Sequence, residues 1–244
     1  MTHELKIAMW SGPRNISTAL MRAWENRSDT AVCDEPLYAH YLHETGLDHA
    51  MREEVIASQP TDWREVAADL TGPTPGGAAV HYQKHMAHHL LDGVGREWLT
   101  GLVNCFLIRE PKGMLPSLDE KLPNPRLEDT ALPQQVALFL AELERTGETP
   151  PVIDSKDVLV DPRGVLGALC ERLEVPFEEA MLSWPKGARP TDGVWSAHWY
   201  GNVEETTGFG PYRPNEADLP AHLASMYDEC LGLYETLHAH RITA

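Results

Sequence analysis

The sequence predicts an α/β protein, a mostly parallel sheet covered on both faces by helices. Three observations carry this. Short apolar runs, closed by Gly, Pro or Asp, alternate with stretches whose apolar residues recur at helical spacing. The chain of 244 residues, without internal repeat or low-complexity tract, suits one domain over 1–244 with a sizeable core. Its 42% hydrophobic and 23% charged residues are the balance of a folded globular protein.

Taken in order, residues 5–10 read as a buried strand ended by Ser11-Gly12-Pro13, and 17–26 as a helix with Leu20, Met21 and Trp24 on one side. Residues 31–33 form a second short strand, closed by Asp34-Glu35-Pro36. Asp62 and Glu65 have the spacing of a capping box and open a helix through Leu70. A Gly/Pro-rich loop over 71–77 precedes a third strand at 78–82. Residues 102–108 make the clearest strand, which runs straight into Arg109. An amphipathic helix over 130–145 stops near Gly147, and a fifth strand follows at 151–154. Asp161-Pro162 supplies an N-cap and a first-turn proline for a helix through Leu173. Residues 184–215 are irregular and rich in Trp, Gly and Pro, and a last helix spans 219–238.

Charge and cysteine usage narrow the partners. Lys+Arg number 20 against 37 Asp+Glu, a formal net charge of −17. That argues against duplex nucleic acid and anionic membranes, which both need a positive face, but leaves room for one small basic pocket. Cys33, Cys105, Cys170 and Cys230 lie far apart without a C-x-x-C, so they read as small core residues in a reducing compartment. The first apolar run is too short for a signal peptide, and no stretch approaches the roughly 20 apolar residues of a membrane span. The expected location is the cytoplasm.

In parallel sheets ligands sit beyond the carboxyl ends of the strands. The first such segment is Ser11-Gly12-Pro13-Arg14-Asn15-Ile16-Ser17-Thr18. A turn here aims the free N–H groups of a helix N-terminus at one point, where the dipole favours an anion. Ser17 and Thr18 add hydroxyls, and Arg14 adds a forked cation suited to phosphate or sulfate. The segment lacks the second glycine and the lysine of a Walker A loop. After the fourth strand, Arg109 and Ser117, eight residues apart, offer a second anion grip some distance from the first.

Together the two segments resemble the sulfotransferases that use 3′-phosphoadenosine 5′-phosphosulfate (PAPS). Pro13-Arg14-Asn15-Ile16-Ser17-Thr18 is similar to that family's P-[KR]-S-G-[ST]-T loop, and Arg109, Pro111, Lys112 and Ser117 to its R-x-P-K strand end with a later serine. Thr207-Gly208-Phe209-Gly210-Pro211-Tyr212-Arg213 resembles its late glycine-rich loop. Three positions depart: Ile16 stands for the loop glycine, Asn15 for a serine, and Pro116 precedes Ser117. The resemblance implies a P-loop-like three-layer sandwich that moves a sulfuryl group from PAPS to a hydroxyl of a small-molecule acceptor, with no metal. It implies that Gly12, Pro13, Arg14, Asn15, Ser17 and Thr18 hold the 5′-phosphosulfate, that Arg109 and Ser117 hold the 3′-phosphate, and that Gly208, Gly210 and Arg213 close over the nucleotide.

The acceptor needs a base, and two residues compete. Glu35 sits in an E-P context like that of bacterial carbohydrate-type members. His85 follows Lys84 directly, whereas cytosolic members place their histidine two positions after a lysine. Glu35 ranks first because its context matches without a register slip. Lys84, Trp195, His198 and Trp199 are candidate acceptor contacts, the aromatics as a lid and wall. His81, His85, His88 and His89 also invite a metal reading, set aside for want of H-E-x-x-H. The rival functions are a nucleotide-dependent kinase on a similar scaffold and a nucleotide-binding module that has lost catalysis.

Overall fold

Apolar runs that are buried on both faces cannot stay in solution as loops, and here they pair edge to edge into one sheet. The computed structural model describes residues 4–215 and 218–244; residues 1–3 and 216–217 lie outside the described residues. The elements are β1 (Leu5–Ser11), α1 (Ser17–Glu25), β2 (Thr30–Asp34), α2 (Tyr38–Thr45), α3 (Arg52–Ser58), α4 (Trp63–Thr71), β3 (Val80–Met86) and β4 (Val103–Ile108). They continue with α5 (Pro111–Lys121), α6 (Leu132–Thr146), β5 (Val152–Asp154), α7 (Ser155–Val160), α8 (Pro162–Arg172), α9 (Ser196–Trp199), α10 (Gly201–Glu204) and α11 (Ala224–His238).

All pairings are parallel, in the order β2-β3-β1-β4-β5. Because side chains alternate along a strand, each face of the sheet feeds a separate core. Ile7, Met9, Tyr82, Cys105 and Leu107 pack with Leu20, Met21 and Trp24 of α1 and with Val165, Leu166 and Leu169 of α8. Ala8, Trp10, Phe106 and Ile108 pack on the other side with α4, α5, α6 and α11 through Val66, Leu115, Phe139 and Leu237. This is the expected helix–sheet–helix sandwich. All four cysteines are free thiols; three are buried and Cys33 is half-buried. Among the described residues no helix is long and apolar enough to cross a membrane.

Three local features differ from expectation. First, β3 does not stop at Tyr82 but runs on to Met86, every residue of it buried. The polar run Gln83-Lys84-His85 masks this, because each side chain finds a buried partner. Gln83 Nε2 donates to the Leu70 carbonyl at 2.9 Å, Lys84 is ion-paired, and the His85 ring stacks on Trp10 at 4.2 Å. Second, Pro116 neither stops nor restarts α5, which is continuous through it. Proline removes the hydrogen bond that the Lys112 carbonyl would accept, and Asn215 Nδ2 donates to that carbonyl instead at 3.3 Å. Third, the stretch between Pro36 and Thr61, to which the sequence assigns no element, holds α2 and α3.

Burial of histidines makes the fold acid-sensitive. Burial pushes His85 down to about 3 and His81 and His88 each to about 4, and takes His89 well below its ordinary value. These groups are neutral when folded but bind protons when unfolded, so their contribution is complete above about pH 6.5 and is lost as pH falls from there. Glu35 and Asp154, raised by burial, act with the opposite sign and are outnumbered. The urea midpoint should therefore be lower at pH 5.5 than at pH 7.5 (about one unit either side of the free histidine value), and His85→Phe should shrink the difference.

Candidate active site

The carboxyl ends of β1, β2, β3 and β4 open into one cavity of about 580 Å³. After β1, the chain turns sharply through Gly12 to Ile16. A Cβ on Gly12 would lie 2.6 Å from the Thr130 carbonyl oxygen, so close approach fixes glycine there. The left-handed position of the loop is Arg14, with φ 55, a strained setting for a non-glycine residue. Ile16 has φ −89, which explains why this loop does not need glycine at that position. Asn15 locks the turn: its Oδ1 accepts from Ile16 N at 2.8 Å and its Nδ2 donates to the Leu107 carbonyl at 3.2 Å. No side chain caps α1, so its first N–H groups, at Ser17 and Thr18, remain available at the cavity wall.

Two guanidinium groups meet here. Arg14 Nε donates to Ser117 Oγ at 2.8 Å, and Arg109 Nη1 donates to the Arg14 carbonyl. The two spaced grips that the sequence suggests are thus one continuous patch. Among the described residues neither arginine has a carboxylate within ion-pair distance, and burial together with the Arg14 charge lowers the Arg109 pKa. Two like charges held together without a counter-ion among the described residues, in a protein of net charge −17, make this the candidate anion site.

The cavity's other end is balanced differently. Glu35 follows β2 with φ 41, a second strained residue on the same wall. Lys84 Nζ donates to Asp34 Oδ1 at 2.8 Å, Glu35 Oε1 at 2.5 Å, and Tyr200 Oη at 2.8 Å. Burial alone would push the Lys84 pKa down; the Asp34 and Glu35 carboxylates outweigh it and hold the ammonium charged. For Glu35 burial dominates and raises the pKa against the pull of Lys84. Tyr200 donates to Asp34 Oδ2 at 2.7 Å, and Gly193 N reaches the same oxygen at 3.1 Å. Asp34 thereby ties the aromatic segment to the sheet.

The candidates sort accordingly. Gly12, Pro13, Arg14, Asn15, Ser17, Thr18, Glu35, Lys84, Arg109, His198, Trp199, Gly208 and Gly210 all line the cavity, and Ser117 joins through Arg14. Gly208 is held by Ser183, and a Cβ on it would approach the Leu182 carbonyl to 2.9 Å. Arg213 is exposed and lies outside the lining. Trp195 is not a wall residue: it is 1% exposed, packed edge-on against Tyr38, with Nε1 donating to Tyr200. His85 does not face the cavity. It is interior to β3, one residue from Lys84, so the strand's alternation turns it to the opposite face, where Gln83 and Trp10 hold it. Sequence reasoning missed Tyr38, Tyr41 and His49, which α2 and the segment after it bring to the wall beside His88 and His89. Among the described residues no cluster of His, Cys, Asp and Glu has the arrangement of a metal site.

A model described as a sulfotransferase domain matches residues 5–240. The chain belongs to the sulfotransferase family. Two curated relatives from Arabidopsis thaliana, named branched-chain-amino-acid aminotransferase-like proteins 1 and 2, are 36% and 33% identical over 96% of this chain. The chain spans only 42% and 41% of their lengths, so their name describes larger proteins. Among solved structures, the sulfotransferase domain of the Synechococcus PCC 7002 olefin synthase shares the fold with a TM-score of 0.59 at 19% identity, covering 100% of this chain and 98% of that one. A sulfotransferase from Alicyclobacillus acidocaldarius gives 0.51 at 10% identity over 98% and 97%.

The buried ion cluster of this sulfotransferase domain should be structurally demanding. Lys84→Met would leave Asp34 and Glu35 facing each other without their cation. We expect a loss of about 3–5 kcal/mol in unfolding free energy, read by urea titration at neutral pH.

Proposed function

We propose that the protein transfers a sulfuryl group from PAPS to a hydroxyl of a small-molecule acceptor. The observation that carries this is the pair Arg14 and Arg109, unpaired by any carboxylate of the described residues, on the same cavity as Glu35. The donor suits the residues present: a doubly anionic nucleotide supplies the counter-charge that two neighbouring guanidiniums lack, and its phosphosulfate anhydride provides an activated sulfuryl group. Arg109 and Ser117 would bind the 3′-phosphate, and the Gly12–Ile16 turn with Ser17 and Thr18 the 5′-group.

By analogy with phosphoryl transfer, the protein's task is to align the reactants and to neutralise charge as it develops. Arg14 and the uncapped N–H groups of α1 place positive potential at the leaving-group end. Glu35 takes the acceptor proton at the other. Its burial raises its basicity, and the hydrogen bond from Lys84 favours its carboxylate form. Lys84 donates to Asp34 Oδ1, Tyr200 Oη and Glu35 Oε1, and Glu35 Oε2 accepts no hydrogen bond from it.

Thermal-shift titration with 3′,5′-adenosine bisphosphate (PAP) should raise the melting temperature of the wild type, because a ligand that binds only the native state stabilises it. A shift with Mg-ATP and none with PAP would instead support a kinase. Arg109→Ala should weaken PAP by about tenfold to a hundredfold, the worth of one charged hydrogen bond, and weaken adenosine 5′-phosphate far less. Equal losses for both nucleotides would detach Arg109 from the 3′-phosphate. Glu35→Gln should lower turnover about 10²–10⁴-fold while PAP still binds.

A further inference from the structure

His89 presents an unexplained nitrogen beside the proposed base. Its ring stacks on Tyr38 at 4.6 Å and 8° and on Tyr41 at 4.7 Å and 27°, which fixes the imidazole plane. The residue is 2% exposed, lines the cavity, and its Nδ1 has no hydrogen-bond partner among the described residues. That nitrogen lies 4.0 Å from Glu35 Oε2, too far for a hydrogen bond. Glu35 Oε1 is already taken by Lys84, which leaves Oε2 as the carboxylate oxygen beside this unpartnered imidazole nitrogen, both residues lining the cavity. The carboxylate also assigns the tautomer: an unprotonated Nδ1 would turn a lone pair toward the oxygen's lone pairs, whereas Nδ1–H turns a positive hydrogen.

At that separation, an oxygen bound about 2.5–2.8 Å from both atoms would have roughly 90–105° between the two bonds, near the tetrahedral spread of an alcohol's hydrogen and lone pairs. We propose that Glu35 Oε2 and His89 Nδ1–H clamp the reacting oxygen of the acceptor, and that this clamp restricts transfer to hydroxyl oxygen over amine nitrogen. The inference rests on the sulfotransferase reading above and names the acceptor class of the same site.

The selectivity follows from counting electron pairs. An alcohol or phenol oxygen carries one hydrogen and two lone pairs. The hydrogen goes to Glu35, one lone pair accepts from His89, and the second attacks sulfur. A neutral amine has a single lone pair and cannot both accept from His89 and attack. In the transfer, the acceptor O–S bond forms from that second lone pair and the S–O bond to the donor's phosphate breaks. The bonding pair stays on the phosphate oxygen, and the acceptor proton ends on Glu35 Oε2. His89 donates its hydrogen bond throughout and exchanges no proton, which suits an imidazole that burial keeps neutral.

The test compares wild type, His89→Phe and His89→Asn with PAPS as donor. The acceptors are 2-naphthol, 2-naphthylamine and water, the last read as sulfate release; PAP binding is measured in parallel by calorimetry. Phenylalanine keeps the stacked ring without the donor, and asparagine places an amide nitrogen one bond beyond Cγ, where Nδ1 stands. PAP affinity should stay within about threefold in all three proteins, since His89 is kept for the acceptor. His89→Phe should lose about a hundredfold on 2-naphthol and on water but little on 2-naphthylamine, collapsing the oxygen-to-nitrogen ratio, and His89→Asn should recover most of the loss. An unchanged ratio, equal losses on both naphthyl acceptors, or no transfer to any acceptor while PAP binds would overturn the clamp. Failure of the wild type to bind PAP would overturn the donor reading itself.

Discussion

A fully buried ammonium organises this site. Lys84 is extended from the middle of the sheet, and taking its charge out of water is tolerable only because two carboxylates and a phenol surround it. That requirement binds together three parts of the chain remote in sequence: the end of β2, the end of β3, and the aromatic segment that carries Tyr200. It also fixes Glu35, which sits in a left-handed backbone conformation that few residues adopt unaided. The proposed base, the aromatic segment and the sheet edge are therefore positioned by one electrostatic knot.

The charge along the cavity is then sharply divided. At one end Arg14 and Arg109 stand side by side without a carboxylate; at the other, one ammonium is shared by two carboxylates. A group transfer that creates negative charge on a leaving phosphate and removes a proton from an acceptor needs this polarity. The overall charge of −17 does not oppose it, because the dielectric and geometry near the two guanidiniums, more than distant surface carboxylates screened by salt, set the local potential. Net negative charge is compatible with one small anion held in such a pocket.

Much of the fold is legible in the sequence alone. The strand–turn–helix at 5–25 has an apolar run, a Gly-Pro stop and a helical repeat, all local signals. The same holds for Asp161-Pro162, whose side chain caps α8 by accepting from Gly164 N at 2.9 Å. What stayed hidden depends on distant partners. The sequence cannot show that Gln83 has the Leu70 carbonyl to bond, nor that Asn215 stands ready at the carbonyl freed by Pro116. The α2 wall escaped for a related reason: Tyr38-Ala39-His40-Tyr41-Leu42 lacks a clean apolar face, because its rings are shared between a small separate core and the cavity. A residue pulled between packing and function breaks the pattern by which helices are read.

The true extent of β3 decides which histidine can act. Alternation sends positions i and i+2 to one face and i+1 to the other. With Lys84 turned toward the cavity, its immediate neighbour is carried beneath Trp10, and the position two on, the place where a strand could present a histidine alongside the lysine, is Met86, which does line the cavity. A histidine can return to the lysine's side only where the strand's alternation ends. The tight turn at Ala87–His89 provides that, swinging His89 between Tyr38 and Tyr41 and opposite Glu35. The one-residue offset of His85 from the expected spacing is thus a change of face, and the proposed division of labour falls to Glu35 and to a side chain beyond the strand's end.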